Sequence, residues 1–243
     1  SLLALLSFIG VYECNQLLKK SKNQFNWVFS FIPSIIFFLL ITLSWKYTVD
    51  LKYYSLLILP FFLLLIYTLF SKVENPLNYV SSSFFGFLYV AIPFWCLYQL
   101  GFLSNSVTNE YSPNIILGFF FVMWANDTGA YLTGKAFGKH KFFPRISPNK
   151  TWEGTIGGIV IGVIIAYCNH FWFENLNVVN WIVVGFIITI FGTLGDLVES
   201  MFKRAAKVKD SGKIMPGHGG VLDRFDSTLL AATMVWLYLL LLG

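Results

Sequence analysis

At 243 residues, with 56% hydrophobic and 12% charged side chains and a mean hydropathy of +0.67, the chain falls far outside soluble domains, in which about 25% of residues are charged. A soluble globular domain is therefore excluded, and the expected fold class is all-α, a polytopic membrane helix bundle. The net charge of +5 matters less than where the charges stand.

A spanning helix needs roughly 20 apolar residues, and eight stretches qualify: Ser1 to Leu18, Phe25 to Trp45, Tyr53 to Phe70, Ser82 to Leu103, Asn114 to Thr133, Thr155 to Phe173, Val178 to Ser200 and Ser227 to Leu242. The chain opens at Ser1 without a Met and already inside an apolar run, so further N-terminal sequence, up to one more span, is expected to precede it; the short core and cleavage site of a signal peptide are lacking. Of the 17 basic residues only Lys46 and Lys52 fall in even-numbered loops, which leaves 17 − 2 = 15 on one side. That asymmetry puts the odd loops in the cytosol. Cys14, Cys96 and Cys168 each sit in an apolar run and read as small hydrophobes, with neither a disulfide framework nor metal-ligand spacing. One integral membrane domain is expected over 1–243, with 1–113 mainly scaffold and 114–243 carrying the chemistry.

Within the first four spans, Glu13 stands out. An acid in an apolar run is a functional hypothesis by default, but Glu13 lies one turn from the basic loop of Lys19, Lys20 and Lys22 and is expected to reach that loop. In the fifth span Asn126, Asp127 and Thr128 gather near the cytosolic end of an otherwise apolar helix, where charge costs at least a few kcal/mol unless it faces water or a partner. The following polar loop, 134–154, contains Ser147-Pro148-Asn149-Lys150-Thr151-Trp152-Glu153-Gly154, with the hydroxyls, proline and acid that start a helix. A helix N-terminus beside Lys and Thr suits an anion. Gly154, Gly157, Gly158 and Gly162 read as close helix packing.

The densest chemistry lies in 191–226. Asp196 and Ser200 are four apart and share a helix face; Lys203, Arg204, Lys207, Lys209 and Lys213 follow, then a Pro-Gly-His-Gly-Gly turn with His218, then Asp223, Arg224 and Asp226. Oxygen ligands of this kind suit Mg²⁺, which takes one or two carboxylates and completes its shell with water and substrate phosphates. The alternative is that these acids only neutralise Lys203, Arg204 and Arg224.

Ser200-x-x-Lys203-Arg204, Lys209-Asp210-x-Gly212 and Pro216-x-His218-Gly219-Gly220-x-x-Asp223-Arg224-x-Asp226 together resemble the signature of the phosphatidate cytidylyltransferase (CDP-diacylglycerol synthase) family. Asp127-x-x-Ala130-Tyr131, Gly134, Gly138 and Ser147-Pro148-x-Lys150-Thr151-x-Glu153-Gly154 resemble a second region of that family, so the similarity covers about residues 120 to 230. Met215 stands where a branched aliphatic or Phe is expected. The resemblance implies the reaction of CTP with phosphatidate to give CDP-diacylglycerol and pyrophosphate, by direct in-line transfer in a bacterial inner membrane with the site facing the cytosol. On spacing alone Asp196 and Asp223 are the expected Mg²⁺ ligands, with room for a second cation and with Ser200 and Asp226 in support. Lys203, Arg204, Lys209 and His218 would bind the triphosphate or lipid phosphate, joined by Asp210 and Arg224 of the signature, while Asp127, Ser147, Lys150 and Thr151 would close the cavity. The expected partners are the two substrates and the bilayer, with a homodimer as an option and no nucleic acid. Three other readings stay open: a secondary transporter, a CTP-dependent lipid kinase releasing CDP, and a non-catalytic scaffold.

Overall fold

The computed structural model describes residues 2–46, 55–103, 111–212, 214 and 219–242, the side chains of 41–46 excepted. The chain folds as helices almost throughout: α1 (Leu2–Lys20), α2 (Val28–Lys46), α3 (Ile58–Phe70) after a 3₁₀ turn, α4 (Pro76–Gly86), α5 (Ile92–Gln99), α6 (Asn114–Phe137), α7 (Trp152–Trp172), α8 (Val178–Ala205) and α9 (Leu222–Leu242). Strands β1 (Lys141–Phe143) and β2 (Ser147–Thr151) form an antiparallel hairpin, the one sheet among the described residues.

Among the described residues six helical runs are long and apolar enough to cross a membrane: Leu2–Lys20, Pro76–Gln99, Asn114–Phe137, Trp152–Trp172, Val178–Ala205 and Leu222–Leu242. Of the other two expected spans, the second is α2, Val28–Lys46, of which Val28–Leu40 is the apolar stretch with described side chains, and the third is a shorter apolar helical run, Ser55–Phe70. Large apolar side chains stand exposed along these helices, Phe70 at 83% and Leu241 at 86% among them, as lipid-facing surfaces require. The fold is all-α and polytopic, as composition predicts.

Two compact units divide the chain, residues 1–95 with 205–224 and residues 96–204 with 225–243. In the first, α1 buries Val11, Cys14 and Leu17, and Ser30 Oγ donates to the Ser83 carbonyl at 2.7 Å beside Asn15. The run Pro76–Gln99 contains a π turn over Phe87–Ala91, in which the Ile92 N–H reaches the Phe87 carbonyl five residues back. Pro93 follows directly and has no N–H to offer the Tyr89 carbonyl one turn earlier.

In the second unit α6 and α7 lie backbone against backbone. A Cβ added at Gly158 would come within 2.8 Å of the Asn126 carbonyl and 2.9 Å of the Ala130 Cβ. Small residues at one-turn spacing permit that approach, which bears out the packing expected of this glycine series. At the other end of the pair, Asn169 Nδ2 donates to the Gly118 carbonyl at 3.0 Å, and fully buried Trp181 fills the neighbouring space.

Two local features depart from the sequence-based expectation. The polar loop 134–154 pairs with itself as the hairpin, which ends in Thr151; the Thr151 hydroxyl caps α7 by accepting the Gly154 N–H at 3.2 Å. Glu153 clamps the base of the hairpin, accepting the Lys139 and His140 N–H groups and lying 2.6 Å from His140 Nδ1. The seventh predicted span continues beyond Ser200 to Ala205, so Lys203 and Arg204 belong to its last turn. Cations are favoured at a helix C-terminus, and Lys203 also pairs with Glu199 one turn back at 2.7 Å.

Candidate active site

A cavity of about 540 Å³ opens in the second unit between α6, β2, the first turn of α7, α8 and the start of α9. Its polar lining comes from Asn126 and Asp127 on α6, Asn149, Lys150 and Thr151 on the hairpin, Thr193 and Asp196 on α8, and Ser227 on α9. The strand is what delivers Lys150: alternation along β2 and the turn into α7 bring its side chain over α8. There Lys150 Nζ lies 2.6 Å from Asp196 Oδ2, with the two side chains 27% and 30% exposed, and 3.4 Å from the Thr193 carbonyl.

Asp196 is held from its other side by Ser200, whose hydroxyl donates to Oδ1 at 3.3 Å. The helix face expected from the four-residue spacing is thus realised. Asn126 donates to Asp127 Oδ1 at 3.3 Å, and Asp127 lies within electrostatic reach of both Lys150 and Asp196. Asp226, whose Oδ1 accepts the Ser227 N–H at 2.6 Å, lies within reach of Asp196 and Lys203. Three carboxylates, Asp127, Asp196 and Asp226, therefore share one neighbourhood with Lys150 and Lys203. Such a set of like charges is costly unless further positive charge joins it.

Ser147 stands at the far end of β2, paired with Phe143, and is not part of the cavity lining. Arg204 is exposed at the end of α8. Asn126, already marked as a polar group in an apolar span, lines the cavity, as do Asn149, Thr193 and Ser227, for which the sequence signal is only that each lies within three positions of a candidate residue.

Asp223 belongs to the first unit, with Lys209, Asp210 and Arg224. Its Oδ2 accepts three hydrogen bonds, from Ser211 N–H at 2.9 Å, Ser211 Oγ at 2.8 Å and Gly220 N–H at 2.8 Å. Gly219, at φ +83°, turns the chain so that the Gly220 N–H can do this. A second cavity, of about 470 Å³, is lined by Tyr12, Glu13, Gln16 and Lys20 of α1 and by 208–212 and Ile214. Glu13 does not serve the basic loop: its Oε2 accepts the Leu222 N–H at 2.8 Å. His218 lies outside the described residues.

No three His, Cys, Asp or Glu side chains among the described residues stand close enough to hold a metal ion by themselves. The donor set still fits Mg²⁺, which needs only one or two carboxylates when substrate phosphates and water supply the rest.

A cytidylyltransferase family model matches residues 1–242. The phosphatidate cytidylyltransferase of Staphylococcus haemolyticus (strain JCSC1435) is 43% identical over 195 residues, covering 79% of this chain and 70% of the relative. That of Staphylococcus saprophyticus subsp. saprophyticus is 42% identical over 196 residues, with the same coverage. The protein of the same name from Staphylococcus aureus (strain COL) is 43% identical over 195 residues, again covering 79% and 70%.

Proposed function

The chain belongs to the cytidylyltransferase family, and from that premise we propose that it transfers the cytidylyl group of CTP to phosphatidate, giving CDP-diacylglycerol and pyrophosphate. The observation that carries this reading is the Lys150–Asp196 pair inside a cavity that also holds Asp127 and lies beside Asp226.

Two polyanions have to meet, and negative charge builds on the departing pyrophosphate. That task calls for preorganised positive charge at the developing anion. The attacking phosphate oxygen of phosphatidate is already ionised at neutral pH, so neither a general base nor a covalent enzyme intermediate is needed. Lys150 is suited to the work because a part-exposed ion pair is worth only about 0–1 kcal/mol. An arriving phosphate can therefore draw its ammonium from Asp196 at little cost, and Asp196 is then free to serve a cation. Asp196 and Asp226 would hold Mg²⁺ from the second unit, with Ser200 fixing the Asp196 carboxylate. The bound ion would neutralise phosphate oxygens during transfer. Asp223, in the first unit, keeps its proposed part in metal and substrate binding on residue type and is tested by its own substitution. Lys203 and Arg204 at the end of α8, and Lys209, Asp210 and Arg224 in the signature, are proposed to bind phosphate groups or to order those that do. The basic odd-numbered loops support a cytosolic site in a bacterial inner membrane.

The test is an assay of the purified protein in lipid, following labelled CTP into chloroform-soluble product with and without phosphatidate and Mg²⁺. Product that needs all three and appears with an equal amount of pyrophosphate supports the reading. Release of CDP would instead mean transfer of the γ-phosphoryl group, and uptake of an anion into sealed vesicles without CTP would mean a transporter.

A further inference from the structure

In the first unit, Glu13 sits on the second-last turns of α1, 1% exposed. A carboxylate buried in an apolar helix is costly unless hydrogen bonds hold it. Its donors come from the other end of the chain: Leu222 N–H at 2.8 Å, with the Val221 N–H and the Ser211 hydroxyl also close. The same carboxylate fills the room that two signature glycines leave open. A Cβ at Gly212 would run into Glu13 Oε1, and one at Gly220 into both of its oxygens. Those glycines flank the donors to Asp223, the Ser211 N–H and hydroxyl and the Gly220 N–H. The two carboxylates thus grip one short segment, Glu13 from inside and Asp223 from its own end.

We propose that Glu13 is a positioning residue for the transfer reaction: its carboxylate fixes the backbone at Ser211–Gly212 and Gly220–Leu222 and so sets the orientation of the Asp223 carboxylate. The proposal rests on the reading that Asp223 serves the chemistry. It also explains why glycine, and no larger residue, stands at 212 and 220, because a side chain at either would displace the buried acid.

The test uses the full chain in lipid nanodiscs, with Glu13→Ala, Glu13→Gln, Gly220→Ala and the double variant Glu13→Ala/Gly220→Ala. Amide exchange in 208–224, kcat and the KM for CTP are measured on each. For Glu13→Ala the expected result is faster exchange of Leu222 and Gly220, kcat down about 100-fold and KM within about twofold, the mark of a lost transition-state geometry. Glu13→Gln keeps the volume and one acceptor, so it folds even if the alanine variant does not, and its kcat should fall about tenfold. Because Glu13 and Gly220 act on one contact, their losses should not multiply, and the double variant should be no slower than Gly220→Ala. Unchanged exchange in Glu13→Gln, or a kcat within about twofold of the parent, would overturn the proposal. Asp223→Asn separates the two levels: near-normal turnover there defeats the reading of Asp223 itself, whereas an inactive Asp223→Asn beside a normal Glu13→Gln defeats only the role of Glu13.

Discussion

Two acids show how differently this chain treats charge in a membrane. Asp196 in the second unit is 30% exposed, holds Lys150 at 2.6 Å and faces an open cavity. Glu13 in the first unit is 1% exposed and bound to backbone N–H groups of one segment. A contact that must be given up to a substrate has to be cheap to break, and a part-exposed ion pair is. A contact that must never yield is better made by backbone donors to a buried carboxylate, where each hydrogen bond to a charged group is worth about 1.5–3 kcal/mol.

The strongest way to break that comparison is Asp196→Asn. It keeps shape and the hydrogen bond from Ser200 but loses the charge, and turnover should fall by about 10³-fold or more while the protein remains folded and monodisperse. Near-normal turnover would remove Asp196 from the site. Next in size, Lys150→Gln should lower kcat by about 100-fold and raise the KM for CTP; an unchanged KM would mean that Lys150 does not meet the nucleotide. Gly158→Ala forces apart the α6–α7 contact that supports the cavity walls, and a melting curve should show a loss of about 1–3 kcal/mol. The smallest effect is expected from Asn169→Leu at the opposite end of the same helix pair. It removes one interhelical hydrogen bond, worth about 0.6 kcal/mol, and should leave kcat within about twofold. A large loss of activity there would show that the cavity is not the only part of the second unit the reaction depends on.

What could be read from sequence was whatever has a local cause. Apolar length marked the helices, and four-residue spacing put Ser200 beside Asp196. Hydroxyl and acid ahead of an apolar run marked the start of α7, although its Thr151 cap closes a hairpin instead of a loop. The strands themselves were not legible, because three- and five-residue segments owe their form to each other and to the Glu153 clamp at their base. Nor was the partner of Glu13, since Leu222 lies 209 positions along the chain and only folding brings the two together. The nearer basic loop looked the better partner because sequence distance was the only distance available. The motif marks Lys150 as a candidate and the structure puts it in the cavity lining, but its pairing with Asp196 depends on where the hairpin lays the side chain.

The central claim is that Lys150 and Asp196 act as one site for cytidylyl transfer, and a double-mutant cycle reads it most directly. Pyrophosphate release would be timed for the parent, Lys150→Gln, Asp196→Asn and the combined variant under saturating CTP and phosphatidate. Residues that work as a unit lose their effect together, so the combined variant should be about as slow as Asp196→Asn alone. Losses that multiply, or single variants that release pyrophosphate at the parental rate, would contradict the account.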